Sequence, residues 1–304
     1  MSADGEAAMN EDDRLYRFLF EGADVRGELV QLGSLYREVV ERAAHPPVLA
    51  RLVGEALAAT SLLLATLKFT GRLTLQIQAN GPLKLLVVQA SSDGGMRALA
   101  RSDGELPDSA LDHQAPRGAL AITIDAEDQN DRYQGVVDLA AGSLAGAIEK
   151  YFRESEQLDT RVWLAADEQV AAGMLLQRLP AGEQPSDERD DDAWDRVGYL
   201  AGTVKPEELC QVAPTTLIYR LFHEETVRLF DPLPLRFRCR CADGRIDGII
   251  QSMGAEDARA LLEEQGQIEV TCEFCCTVYR YDPVDVEALL ATDVDRHPPS
   301  DESH

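Results

Sequence analysis

Five of the chain's six cysteines fall in two short stretches, "RFRCRC" at 236–241 and "VTCEFCC" at 270–276, and this spacing constrains the C-terminal fold more than any other feature. Tetrathiolate metal sites are commonly assembled from two close pairs brought together from distant parts of a chain. Cys239, Cys241, Cys272 and Cys275 have that layout, a C-x-C and then, thirty residues on, a C-x-x-C. The pattern predicts one Zn2+ per chain. Four thiolates also suit an iron–sulfur cluster, although two short pairs on tight turns favour zinc. Polar neighbours such as Arg240 and Glu273 leave little apolar shell, which argues against simple buried thiols. Cys276 also lies within ligand spacing of Cys272; Cys275 is the expected ligand and Cys276 a spare thiol.

A C-terminal unit of roughly sixty residues has a marginal core, so a structural metal worth about 10–16 kcal/mol of apparent binding energy would supply much of its folding energy. The metal would tie the two stretches across the gap between them. Disulfides formed locally would leave that gap open, and closing a loop of this length costs about 3 kcal/mol plus a constant. Oxidation therefore predicts metal release and a loosened unit: a clamp when reduced, a sensor when oxidised.

The compartment decides whether such chemistry is available. The first residues, "MSADGEAAMNEDDRLYRF", are acidic where an export signal would be basic and then apolar. The apolar run "ALAATSLLLATL" at 56–67 is too short to span a bilayer. A cytoplasmic protein is expected, in which thiols stay reduced and clustered cysteines bind metal or do redox chemistry. The formal net charge of −25 repels phosphate backbones and anionic lipid surfaces, so neither nucleic acid nor membrane is an expected partner. Arg236, Arg238, Arg240 and Arg245 read as charges balancing nearby acids or the metal site.

With 304 residues, 45% of them hydrophobic, most of the chain should fold. Apolar residues at helical spacing predict a helix over 47–67. The period then drops to two at Leu73, Leu75 and Ile77, and Asn80-Gly81-Pro82 before a second apolar run signals a hairpin. Strands follow at "GALAITID" and "YQGVVDL", a helix over 143–158 with Ser143 as cap, and a strand at "TRVWLAAD". Strands and helices mix without regular alternation, which predicts an α+β domain over 12–181 behind a disordered leader at 1–11. The acidic stretch around Pro185 opens a helical linker over 182–225, whose helices are too short to be stable unpacked and should be metastable. Cys210 within it reads as a packed core residue. The C-terminal zinc-binding unit spans 226–291, with a helix ending at Gly266 and another capped by Asp282 with Pro283 in its first turn. A disordered tail is expected over 292–304. Glu149 and Glu154 read as a solvated helix face rather than an acid/base pair. There is no "GxxxxGK" phosphate loop.

The stretches "LQIQANGPLKLLVV", "YQGVVDL", "YFRESEQLDTRVWLA", "AAGMLLQRLP" and "YRLFHEETVRLFDP", followed in order by the C-x-C and C-x-x-C, resemble the heat-shock protein 33 family of redox-regulated 33 kDa chaperonins, from about residue 13 to 291. The resemblance implies an N-terminal α+β domain, a metastable helical linker and a C-terminal redox-switch domain. It implies a reduced, zinc-bound form that is quiescent. Oxidation under unfolding stress would form Cys239–Cys241 and Cys272–Cys275 disulfides, release zinc, and produce an ATP-independent holdase for unfolded client proteins, commonly a homodimer. The chain departs from the family at Cys276, where family members usually carry another residue, so a Cys272–Cys276 bond stays open.

Clients are expected to meet the apolar residues of the connector, Trp194, Val197, Leu200, Leu217, Ile218, Leu221 and Phe222, together with the N-domain surface these cover. The competing reading is a zinc-ribbon interaction module whose metal is purely structural. A thiol oxidoreductase is disfavoured, since neither cysteine pair sits at the strand-to-helix turn of a βαβ unit; the chain is expected not to be an enzyme.

Overall fold

Two-residue alternation of apolar side chains builds most of the architecture in the computed structural model, which describes residues 13–66, 69–104, 106–107, 118–127, 132–139, 142–180, 190 and 192–294. The expected leader at 1–11, residues 182–189 of the expected linker and the tail beyond 294 lie outside the described residues. The chain divides into two compact units, 1–237 and 238–304.

The first unit begins with β1 (Arg14–Phe20), β2 (Val25–Leu32), α1 (Ser34–Ala43) and α2 (Pro47–Thr66). Next come β3 (Gly71–Ala79), β4 (Leu83–Ser91), β5 (Gly95–Ser102), β6 (Gly118–Ala126), β7 (Arg132–Asp138) and α3 (Leu144–Tyr151). The strands β8 (Thr160–Ala166) and β9 (Ala171–Arg178) precede the connector helices α4 (Ala193–Ala201), α5 (Pro206–Gln211) and α6 (Pro214–Phe222). Three short strands, β10 (Val227–Leu229), β11 (Leu233–Pro234) and β12 (Arg236–Phe237), complete it.

One sheet has the order β10-β1-β2-β9-β8, with β11 also on β1; the other runs β12-β5-β4-β3-β6-β7. The hairpin signalled by Asn80-Gly81-Pro82 is present, with Ile77 opposite Leu86, and Leu73, Leu75 and Ile77 fully buried on one face. The helix α2 packs on strands of both sheets, which explains why it is apolar nearly all round. Its buried hydroxyls stay satisfied within the helix, Thr60 donating to the Ala56 carbonyl at 2.7 Å and Ser61 to that of Leu57 at 2.9 Å. Although α2 is long and apolar enough to cross a membrane, 78% of its most apolar window is buried in the fold.

Two local differences from the sequence expectations have physical causes. Ser143 caps α3 as expected, accepting from the Gly146 N–H at 3.1 Å, but the helix widens into a π-turn at Phe152–Glu156. That turn buries Phe152 and lets the Tyr151 hydroxyl donate to Glu156 at 3.1 Å. Glu149 is not on a solvated face: its half-buried carboxylate accepts the Val162 N–H at 2.8 Å, tying α3 to β8. Burial raises its pKa.

Residues 227–237, which the sequence assigns to the C-terminal unit, pair in the first one. There β10 and β11 satisfy the edge of β1, and β12 runs parallel to β5.

The second unit holds α7 (Ile246–Met253), α8 (Ala255–Gln265), a hairpin of β13 (Ile268–Thr271) and β14 (Val278–Tyr281), and α9 (Pro283–Val294). Gly266 ends α8 at φ +79°, its N–H bonded to the Leu262 carbonyl at 2.8 Å. Asp282 accepts the N–H groups of Val284 at 2.8 Å and Asp285 at 2.9 Å, the expected cap. The helix continues to Val294, so residues 292–294, read from the sequence as tail, are helical. The core consists of little more than Ile250, Ala258, Ile268, Val286 and Leu290.

Candidate metal centre and connector

The two cysteine pairs are presented by different kinds of turn. Cys239 precedes, and Cys241 begins, a π-turn over Cys241–Arg245 that leads into α7. Cys272 and Cys275 lie in the tight connection of the β13–β14 hairpin. That connection is closed by the Cys272 N–H on the Thr277 carbonyl at 2.9 Å and the Cys276 N–H on the Cys272 carbonyl at 2.8 Å. Cys276 adopts a left-handed conformation, φ +55°, and is exposed.

The fold brings Cys239, Cys241, Cys272 and Cys275 together with all four sulfurs within 4.8 Å of one another. Cys239 Sγ is 3.6 Å from Cys272 Sγ, and Cys241 Sγ is 3.4 Å from Cys275 Sγ. A tetrahedral site with metal–sulfur bonds of about 2.3 Å sets its sulfurs about 3.8 Å apart, so donor type, number and spacing all fit a zinc-type ion. Cys276 is outside this group.

The surroundings tune the sulfurs unequally. Burial pushes the Cys272 and Cys241 thiols above the ordinary value. Burial also acts upward on Cys275, but hydrogen bonds from the Thr277 hydroxyl and backbone N–H, together with those from Cys241 and Cys272, bring that thiol below its ordinary value. Metal binding needs all four as thiolates, so affinity at this centre must rise with pH. The Tyr279 hydroxyl donates to Cys241 Sγ at 3.0 Å, and that bond is the main cause of the raised tyrosine pKa. Two residues along the same strand, the Tyr281 hydroxyl donates to Asp247 Oδ1 at 2.7 Å.

The other set of expected site residues sits in the first unit. Val197, Leu217, Ile218 and Phe222 are buried, and Trp194, Leu200 and Leu221 half-buried. They pack on a face of the first sheet formed by Phe18, Phe20, Leu29, Met174 and Leu176. Phe18 lies across Gly27, where a Cβ would stand 2.2 Å from the ring, so only glycine allows that packing. Gln31 was not legible as a partner: its side-chain amide donates to the carbonyls of Leu209 at 2.8 Å and Val212 at 2.7 Å, at the end of α5. Cys210 is buried, 3.8 Å from the Val170 carbonyl oxygen, and burial pushes its thiol up to about 11, as suits an inert packed residue. The role of Tyr279 is equally illegible in the sequence, where nothing says which way a strand tyrosine faces a metal site.

Comparison with known proteins gives these sites a context. The family model described as Hsp33 protein matches residues 13–282. A 33 kDa chaperonin of Nitrosococcus oceani is 48% identical over 94% of this chain and 97% of its own length. One from Methylobacillus flagellatus is 43% identical over the same shares. Among solved structures, the 33 kDa chaperonin (Hsp33) of Thermotoga maritima superposes with a TM-score of 0.77 over 93% of this chain and 99% of its own. At 21% identity that likeness speaks for the fold.

Proposed function

The chain belongs to the Hsp33 family, and from that premise we propose that it is a redox-regulated, ATP-independent chaperone that holds unfolding proteins when oxidised and is quiescent when reduced and zinc-bound. The four-sulfur cluster carries this reading, because it occurs in a unit whose apolar core is too small to be stable alone. Cys239, Cys241, Cys272 and Cys275 hold the metal. When bound, zinc keeps the four sulfurs as thiolates and links the two ends of the unit.

Oxidation within each cysteine stretch, as Cys239–Cys241 and Cys272–Cys275, removes four thiolate donors and leaves only local ties. The second unit then loosens. The connector is the second moving part: α4, α5 and α6 have six to nine residues each and depend on the sheet beneath them. Released, they expose Trp194, Val197, Leu200, Leu217, Ile218, Leu221 and Phe222 together with the face around Phe18, Phe20 and Met174, an apolar surface of the kind that unfolded chains bind. The active form is a homodimer working in the cytoplasm.

Light scattering of a heat-unfolding client tests the proposal with zinc-loaded reduced protein and, in parallel, oxidised protein. Suppression by the oxidised sample alone is expected. Stoichiometric zinc retention under peroxide, with no suppression by either sample, would leave a structural zinc ribbon that binds a fixed partner.

A further inference from the structure

Three hydroxyl contacts come from the β13–β14 hairpin, two of them to sulfurs of the cluster, and they differ in kind. Thr277 lies beside Cys275, its Oγ1 3.3 Å from the sulfur, within the same turn. Tyr281 anchors the hairpin to α7 through Asp247. Tyr279 alone reaches from the second cysteine stretch to a sulfur of the first, 38 residues away. Successive odd positions of a strand share a face, so Tyr279 and Tyr281 project together, the one to Cys241 Sγ and the other to Asp247.

A hydroxyl donating to a thiolate draws charge from the sulfur lone pairs, which stabilises the thiolate and makes it a poorer nucleophile. Partners of this kind around metal ligands typically alter affinity or activity by 10–100-fold when removed. Oxidation by a peroxide depends on those same lone pairs. The sulfur attacks one peroxide oxygen, an S–O bond forms as the O–O bond breaks, and hydroxide leaves. A neighbouring cysteine thiolate then attacks that sulfur, an S–S bond forms, the S–O bond breaks and a second hydroxide departs. Peroxide is reduced and two thiolates are oxidised.

We propose that Tyr279 is a positioning residue that sets the oxidation threshold of the centre: its hydrogen bond to Cys241 slows peroxide attack on the first cysteine pair and helps retain the metal. This inference rests on the oxidative reading above. It adds a brake to the switch, located in the hairpin rather than in the cysteines.

The test uses the full-length reduced protein carrying Tyr279→Phe, which keeps the ring and removes the hydroxyl, with Tyr281→Phe as a control that loses an anchor but no sulfur contact. Zinc release under hydrogen peroxide, followed with a chromogenic chelator, should be about tenfold faster in Tyr279→Phe. The sulfur-to-cobalt charge-transfer band of the Co2+-loaded variant should move to lower energy, while Tyr281→Phe leaves the band in place. A general loss of structure would not produce that contrast. Zinc release by Tyr279→Phe at the wild-type rate, with an unshifted cobalt band, would overturn the inference and leave the oxidative reading standing. Retention of zinc under peroxide by wild type and variant alike would overturn both.

Discussion

The rings of Phe20 on β1 and Phe222 at the end of α6 meet edge to face, with centroids 5.0 Å apart and planes at 90°. Phe18 completes the cluster, 5.9 Å from Phe222. Such pairs add about 0.5–1.5 kcal/mol beyond the area they bury, and Phe222 is 1% exposed. Truncation to alanine typically costs about 3–5 kcal/mol at a site like this. The loss falls on α6, a nine-residue helix with little stability of its own. Phe222→Ala should therefore abolish slow hydrogen exchange across α4–α6 in the reduced protein and leave β3, β4 and β6 protected. It should also give the reduced protein holdase activity. Connector amides as protected as in wild type would show that the aromatic cluster does not hold these helices down.

Gln31 makes a subtler contribution to the same docking. Helix C-termini leave carbonyls without intrahelical partners, and the Gln31 amide serves those of Leu209 and Val212. Gln31→Leu keeps the side chain's bulk and removes both donors, which should cost about 1–3 kcal/mol. The effect should be confined to α5, as faster exchange of its amides with no change in zinc content. Equal exchange in α5 would mean that water replaces the amide without loss.

Metal removal separates the two units experimentally. Treating the reduced protein with a strong zinc chelator should erase exchange protection in α7–α9 and the β13–β14 hairpin, whose apolar cluster is built on Ile250, Ala258, Ile268, Val286 and Leu290. The sheets of the first unit should keep theirs. Cys241→Ser should mimic the chelator. Cys276→Ser should retain one zinc per chain, because Cys276 is exposed and outside the sulfur cluster. A Cys276→Ser protein without zinc would move the fourth ligand from Cys275 to Cys276.

What could be read from the sequence follows from which interactions are local. The β3–β4 hairpin, the Ser143 and Asp282 caps, the Gly266 stop and the two cysteine pairs all announce themselves within a few residues, and each is present. The strands β1 and β2 were not legible. Arg17, Arg26 and Glu28 break their alternation, and Glu28 is buried beside strands that come from the far end of the domain. The return of residues 227–237 to the first unit was hidden for the same reason: these short strands exist only because β1 and β5 have edges to offer. Helical spacing marks the connector residues in the sequence, but the surface they cover, around Phe18 and Met174, depends on tertiary packing that no window of sequence contains.

Glu28 also makes the first unit sensitive to pH. The residue is 2% exposed and Oε2 has no hydrogen-bond partner, while Arg26 Nε stands 3.9 Å from Oε1. Burial raises its pKa from 4.5 to about 7, with Arg26 and Arg17 opposing. The unfolded chain thus releases this proton near pH 4.5 and the folded chain near pH 7, so between those values the folded state binds more of it. Stability from this group is complete below pH 4.5 and lost as pH rises through 7, by about 3 kcal/mol in all. Glu55, raised to about 7 chiefly by burial, acts in the same direction and remains in a Glu28→Gln variant. Both tryptophans, Trp163 and Trp194, lie in the first unit, so urea unfolding followed by their fluorescence reports on it alone. Between pH 5 and pH 8 the wild type should lose about 2–3 kcal/mol more than Glu28→Gln, and the variant should be the more stable protein at pH 8. Parallel pH profiles would mean that Glu28 stays charged in the fold, with Arg26 compensating its burial.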